Sequence, residues 1–238
     1  MSDPVSFRPY APGTQPSLNT PAYVGTRLRH PLQPLHKIPQ SITETTGPRF
    51  DAAAFPPLAD MTRGPTGIAI GQRIVLAGRV TDEDGRPVPH TMIEIWQANA
   101  TGRYDHPADT HDAPLDPNFH GAGRVFTDAH GAWRVLTIKP GAYPWPNHHN
   151  AWRPNHVHFS LFGPAFATRL ITQMYFPDDP LLAYDPIYNA VPDPAARARL
   201  IAGFDPALTE ADWALGFRFD IVLRGRAATP MENPNGEH

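Results

Sequence analysis

The segment Trp152-Arg153-Pro154-Asn155-His156-Val157-His158-Phe159 sets two histidines one residue apart on what reads as a strand. Pro154 disfavours a helical Arg153, and strand alternation then sends His156 and His158 to one face and Val157 and Phe159 to the other. Two imidazoles aimed the same way are half of a metal site, or two polar residues on a solvated face. What accompanies them separates the possibilities. A cupin-type centre needs a Glu shortly after and a third His on a later strand, yet the only His beyond His158 is His238. A hydrolytic zinc site wants a third His or a nearby carboxylate; His148 and His149, in a loop rich in Pro and Asn, are the fallback.

Tyrosines give a better account. Tyr104 ends Asn99-Ala-Thr-Gly-Arg-Tyr104 just past a strand closing at Trp96-Gln97, and Tyr143 lies in Lys139-Pro-Gly-Ala-Tyr143-Pro-Trp145 just past a strand closing at Ile138. Loops that leave a rigid sheet are where ligands usually sit, and the second loop runs through Arg153 into the histidine strand. One tyrosine in a loop is ordinarily an amphipathic surface residue. Two tyrosines and two histidines together make a four-donor pocket sterically plausible.

Such donors need a frame. From Ile74 the chain reads IVLAGRV, the turn TDEDG, then RPVPHTMIEIWQ, a hairpin signal around Asp-Gly; GRVFTDAHGAWRVLTI repeats the pattern around Gly131. HVHFSLF, TRLITQMYF and GFRFDIVLRG add strands, the last with Phe217, Phe219, Ile221 and Leu223 on one face. The expectation is an all-β protein: a β-sandwich core of mixed and antiparallel strands with long loops. One short peripheral helix is expected in DPAARARLIAG, with Asp193 as N-cap, Pro194 at its first position and Gly203 just past its end. Residues 1–65 lack periodicity but carry Phe7, Tyr10, Tyr23 and Leu35, which suggests an extended N-terminal arm lying on a surface, ahead of a sandwich domain over residues 66–238.

Bulk properties narrow the function. The 238 residues carry a net charge of -3 with Lys and Arg dispersed, so neither nucleic acid nor an anionic membrane is an expected partner. With no Cys, any metal must have N and O ligands. No apolar run is long enough to span a bilayer, and the opening MSDPVSFRPYAPG has no signal-peptide pattern, so the expected location is cytoplasmic. The 30 prolines are spread along the chain, consistent with long loops stiffened by fixed φ angles.

Seven segments together are similar to the intradiol ring-cleaving dioxygenases: Ile38 to Pro48, Trp96 to Tyr104, Pro114 to Phe119, Thr137 to Trp145, Trp152 to Phe159, Leu170 to Phe176 and Arg218 to Gly225. The likeness is to the β-chain type of the two-chain branch, which acts on protocatechuate (3,4-dihydroxybenzoate). It implies that Tyr104, Tyr143, His156 and His158 hold a non-haem Fe(III), that Tyr143 is displaced when a catechol binds as a dianion, and that O2 opens the ring to a carboxylated muconate. It further implies that Arg153 stabilises developing negative charge and that Gln173 orients Arg153 or a ligand. Trp96, Trp145 and Ile187 match substrate-cavity positions, Tyr23 one that meets the substrate, and Tyr175 is either a hydrogen-bond donor behind the site or plain core. A homologous iron-free α subunit is the implied partner in an αβ assembly.

The implied chemistry is coherent, because a trivalent ion drives phenols with a free pKa of ~10 to bind as phenolates. Two phenolates and a hydroxide then balance its charge. The sequence departs from the pattern at Pro146, where a basic residue is expected, which leaves recognition of the substrate carboxylate open. Single-chain catechol or hydroxyquinol dioxygenases are the alternative, but they carry a helical N-terminal region, and residues 1–65 have no helical period. A non-catalytic sandwich subunit, such as an iron-free α-type chain, should lack the four donors together.

Overall fold

The computed structural model describes residues 11–22, 30–33, 53–145, 151–162 and 169–232. Among these, eleven strands form in order: β1 (Arg73–Thr81), β2 (Met92–Trp96), β3 (Ala122–Phe126), β4 (Ala132–Ile138), β5 (Tyr143–Trp145), β6 (Ala151–Arg153), β7 (His156–Phe162), β8 (Leu170–Tyr175), β9 (Gly203–Phe204), β10 (Leu215–Arg218) and β11 (Ile221–Val222). One sheet centres on β1, with β4 antiparallel on one edge and β10 and then β11 parallel on the other, β9 pairing with β10. The second is antiparallel in the order β3-β2-β7-β8, and β5 pairs with β6 in a separate ribbon. The expected all-β sandwich of mixed and antiparallel strands therefore forms.

Its core is the apolar half of each alternating strand. Ile74 and Leu76 of β1, Ile93 and Ile95 of β2, Trp133 and Val135 of β4, Val157, Phe159 and Leu161 of β7 and Phe217 of β10 join one buried cluster. Phe159 is fully buried with its ring 5.3 Å from Trp133 and 5.2 Å from Phe219; emptying such a position costs about 3–5 kcal/mol. Residues ahead of position 66 contribute too: Met61 is fully buried, and Leu58 and Asp60 bridge to Arg124 and Leu136. Thr14 is buried, the Gly13 carbonyl accepts from the Asp193 amide, and the Gln15 side chain accepts from the Met231 amide. Phe7, Tyr10, Tyr23 and Leu35 lie outside the described residues. No helix among the described residues is long and apolar enough to cross a membrane.

Both turns read as hairpins reverse the chain, the first with a short antiparallel pairing around it, and both then carry it from one sheet to the other. The TDEDG turn closes locally, with Gly85 N–H donating to the Asp82 carbonyl at 3.1 Å, but β1 belongs to one sheet and β2 to the other. Past the turn, residues 86–88 pair antiparallel with residues 80–82, the Asp82 amide donating to the Arg86 carbonyl at 3.0 Å and the Val88 amide to the Val80 carbonyl at 2.9 Å, before Pro89, which has no amide to offer, ends the pairing. The turn at Asp128–Gly131 likewise carries the chain from β3 to β4 across the sandwich. Thr127 ties the two crossings together: its hydroxyl accepts from the Thr91 amide at 2.8 Å and its carbonyl from the His90 amide at 3.1 Å.

Two further expectations are modified. GFRFDIVLRG is broken into β10 and β11 at Phe219-Asp220, where the Asp220 carboxylate accepts the Arg79 amide at 2.8 Å. Helix α1 spans only Pro194–Ala198, capped by Asp193 as expected, but it ends well before Gly203. Leu200–Ala202 instead bond to Tyr175, covering the open edge of β8, and Gly203 starts β9.

Candidate metal centre

The register of the second sheet assembles the site. Trp96, His158 and Gln173 are directly opposite one another across β2, β7 and β8, and His156 is opposite Tyr175. These residues share the sheet face turned away from the core. That face is not solvated, since His156 is 2% exposed and His158 7%. The reading of the two histidines as polar surface residues is thereby excluded.

Two loops bring the tyrosines over them. Tyr143 begins the β5–β6 ribbon and its hydroxyl lies 3.2 Å from His156 Nε2; Tyr104 Oη lies 3.2 Å from His158 Nε2. The tyrosine rings meet edge to face at 5.5 Å and the imidazoles at 4.8 Å. Four donor atoms, two from β7 and one from each tyrosine loop, thus converge. Asn99 braces the first loop, its side-chain oxygen accepting from the Thr101 and Arg103 amides and its NH2 donating to the Pro114 carbonyl. The Tyr104 amide donates to Asp109 at 2.7 Å.

The two loops touch through glycines. A Cβ on Gly141 would stand 2.5 Å from the Gly102 nitrogen, and one on Gly102, whose φ is 82°, would stand 2.3 Å from the Ala142 carbonyl. Without side chains at these positions the tyrosines can share one cluster.

Each imidazole is held by its far edge. His156 Nδ1 lies 2.6 Å from the Pro154 carbonyl, and His158 Nδ1 lies 3.2 Å from Glu232 Oε2. Donation from Nδ1 leaves each Nε2 with its lone pair towards the tyrosines. Burial holds the His156 imidazole well below its usual pKa, with the Arg153 charge adding to the effect, so it stays neutral as a ligand must. Burial also pushes Tyr104 well above the usual phenol range, the neighbouring Tyr143 adding to it, and burial raises Tyr143. Two buried phenols that resist ionisation, beside two imidazole Nε2 atoms, form a donor set whose phenols a strongly charged cation would turn into phenolates, so the residues fit a hard metal ion. Among the described residues no group of three His, Asp or Glu converges as an alternative metal site.

Arg153 lies behind the donors, 3% exposed. Its Nε donates to Asp185 at 2.9 Å, its NH2 donates to the Gln173 side-chain oxygen and its guanidinium stacks 5.3 Å from the Trp145 ring. Tyr175 is fully buried and donates to the same Gln173 oxygen at 3.0 Å. Arg153 is therefore both ion-paired and beside the site. A cavity of about 870 Å³ opens over Tyr104, Tyr143 and His158, walled by Trp96, Trp145, Trp152 and the loop from His106 to Asp112. Trp96 and Trp145 thus line it, whereas Ile187 is buried beside Asp185, to which its amide donates at 2.8 Å. Tyr23, Pro146, His148 and His149 lie outside the described residues.

Sequence reasoning missed Asp185, Glu232, Trp152 and the paired glycines. Glu232 follows a segment without periodicity and reaches His158 from 74 residues away, so nothing local announces it. The repeated small residue before each tyrosine, in TGRY and PGAY, was the available signal for Gly102 and Gly141.

Comparison with known proteins bears on this geometry. A family model described as Dioxygenase matches residues 45–225, and one described as the N-terminal part of the protocatechuate 3,4-dioxygenase beta subunit matches residues 8–41. The protocatechuate 3,4-dioxygenase beta chain of Burkholderia cepacia is 54% identical over 235 residues, which are 98% of this chain and 100% of that one. The alpha chain of Pseudomonas putida is 32% identical over 207 residues, 82% of this chain and 97% of the other. Among solved structures, the dioxygenase domain of a dioxygenase and carbohydrate-binding fusion from Streptomyces sp. SirexAA-E superposes with a TM-score of 0.51 at 28% identity, covering 74% of this chain and 93% of its own.

Proposed function

This chain belongs to the intradiol ring-cleaving dioxygenases, and from that premise we propose that it is the iron-bearing β chain of a protocatechuate 3,4-dioxygenase. The reaction adds both atoms of O2 to 3,4-dihydroxybenzoate, opening the ring between the hydroxyl-bearing carbons to give 3-carboxy-cis,cis-muconate. One observation carries the assignment of the site: two phenol oxygens and two imidazole Nε2 atoms pair at 3.2 Å, and Tyr104, Tyr143 and His158 of that cluster line an aromatic-walled cavity.

Tyr104, Tyr143, His156 and His158 would hold the ion. Bound there, Fe(III) supplies the Lewis acidity that makes a catechol dianion accessible near neutral pH and readies its ring for O2. A catechol arrives with two hydroxyl protons, which need two acceptors. The Tyr143 oxygen, on the peripheral ribbon, would take one, and a hydroxide from solvent would take the other. His156 and His158, fixed at their Nδ1 edges, stay in place. Arg153 keeps a fixed cation beside the cluster, where it offsets negative charge that develops on the ring, and Gln173 and Asp185 orient it.

Trp96 and Trp145 flank the ring, while the roles of Tyr23 and Ile187 as substrate contacts rest on the family resemblance. The cavity is several times the size of a single aromatic ring, near the upper end of the roughly 300–1,000 Å³ of small-molecule sites. That breadth, with the likeness to an alpha chain, supports a homologous iron-free α subunit as the partner that narrows it.

The test is the visible spectrum of the protein co-produced with its α chain, with iron quantified on the same sample, before and after anaerobic addition of protocatechuate. A broad phenolate-to-iron band that shifts with substrate is expected. A colourless protein without iron would end the proposal.

A further inference from the structure

The two imidazoles differ in what holds them. His156 Nδ1 faces the neutral Pro154 carbonyl, whereas His158 Nδ1 faces the carboxylate of Glu232 at 3.2 Å, with both side chains 9% exposed. Trp96 stacks on the His158 ring at 4.8 Å with 6° between planes, so the ring is fixed on its face as well as its edge.

Glu232 is not on a free tail. Its amide donates to the Ile171 carbonyl at 2.8 Å, the Thr172 hydroxyl donates to the Pro230 carbonyl at 2.7 Å, and the Met231 amide donates to Gln15 Oε1 at 2.8 Å. These bonds run between residues 229–232, β8 and the N-terminal segment, and they bring an acidic side chain behind a prospective metal ligand. A carboxylate accepting from Nδ1–H fixes the imidazole tautomer and increases electron donation from Nε2 more than a carbonyl does.

Resting on the proposed ferric site, we propose that Glu232 is a positioning residue for His158 that also sets how electron-rich the bound ion is. Its negative charge acts through the imidazole and adds to the electron density that the phenolates give the ion. The asymmetry puts the stronger imidazole donor beside Tyr104 and the weaker one beside Tyr143, the tyrosine assigned to leave.

Two variants, Glu232→Gln and Glu232→Leu, test this in the αβ assembly without substrate. The readouts are the wavelength of the phenolate-to-iron band and the rate at which a chelator removes iron. Glu232→Gln keeps the shape and an acceptor but loses the charge, so its band should move to longer wavelength. Chelator removal should be roughly 10- to 100-fold faster, the usual cost of losing a carboxylate behind a histidine ligand, with Glu232→Leu affected more. A structural role alone would alter melting or iron loss without moving the band. A band at the unmodified wavelength in iron-loaded Glu232→Gln therefore overturns the inference, even if Glu232→Leu fails to fold. If the unmodified protein has no band, the ferric reading itself has failed; a band insensitive to Glu232 defeats only this inference.

Discussion

The histidine strand and the tyrosine loops supply the same number of donors from very different supports. β7 is central in its sheet, with His156–Leu161 buried and both edges paired, to β2 and β8. Tyr143 sits in a ribbon of two three-residue strands that pair with each other, and β5 is half-buried along its length. Moving a residue on β7 means shearing a ladder and opening a core, whereas moving Tyr143 disturbs a short ribbon. The difference suits a site in which the imidazoles hold the ion through the cycle and one phenol gives way to substrate. Tyr104 is intermediate, loop-borne but pinned by Asn99 and Asp109.

The sharpest way to break the contrast is to remove a strand donor. His158→Ala should leave the sandwich folded, because its side chain faces away from the core cluster, yet it should retain no iron. Activity should drop by at least about 10³-fold, as expected when a group acting as part of a unit is deleted. Metal analysis alongside a thermal melt checks both halves. Retained iron with normal turnover would refute the ligand assignment. Gly102→Ala attacks the loops instead: a Cβ 2.3 Å from the Ala142 carbonyl at φ 82° must push the tyrosine loops apart. The strain and overpacking should cost about 1–3 kcal/mol in a denaturant melt and weaken the phenolate-to-iron band, while the histidine strand stays intact.

The strand half of the site was legible in the sequence because period-two alternation is local: Pro154 starts the extended run, and the partition of His156 and His158 from Val157 and Phe159 follows from it. The loops were legible only as places where Tyr104 and Tyr143 leave strands. Their convergence depends on the contact between Gly102 and Gly141, which spacing does not encode. Long-range carboxylates were invisible for the same reason, Asp185 reaching Arg153 from 32 residues away and Glu232 reaching His158 from 74. The turns at Gly85 and Gly131 specified chain reversal but not the sheet that receives the next strand. Asp193 announced the start of α1, but its end was set by the open edge of β8, which draws Leu200–Ala202 into pairing.

Tyr143→Phe should have a milder effect than loss of a strand donor. Three donors remain, so iron should be kept, but one phenolate contribution to the band disappears along with one acceptor for the substrate protons. Protocatechuate binding, followed by anaerobic stopped-flow absorbance, should slow by roughly 10²-fold, the lower range for losing a positioned proton acceptor. An unchanged binding rate would mean that Tyr143 does not exchange with substrate, and the contrast between peripheral ribbon and central strand would lose its functional meaning.

Asp109→Asn probes the intermediate case and carries the smallest expected effect. The Asp109 carboxylate accepts the Tyr104 amide at 2.7 Å and the His111 amide at 2.8 Å, holding the first tyrosine loop against the cavity wall. The amide side chain can keep one acceptor in place but loses the charge, so about 1 kcal/mol of loop order is at stake. Iron should remain bound and the band should keep its position, since no donor atom changes. Chelator extraction should accelerate only a few-fold, in line with that energy. Extraction as fast as that expected for Glu232→Gln would mean that Tyr104 is held no better than Tyr143, and that the first loop belongs with the peripheral ribbon rather than between ribbon and strand.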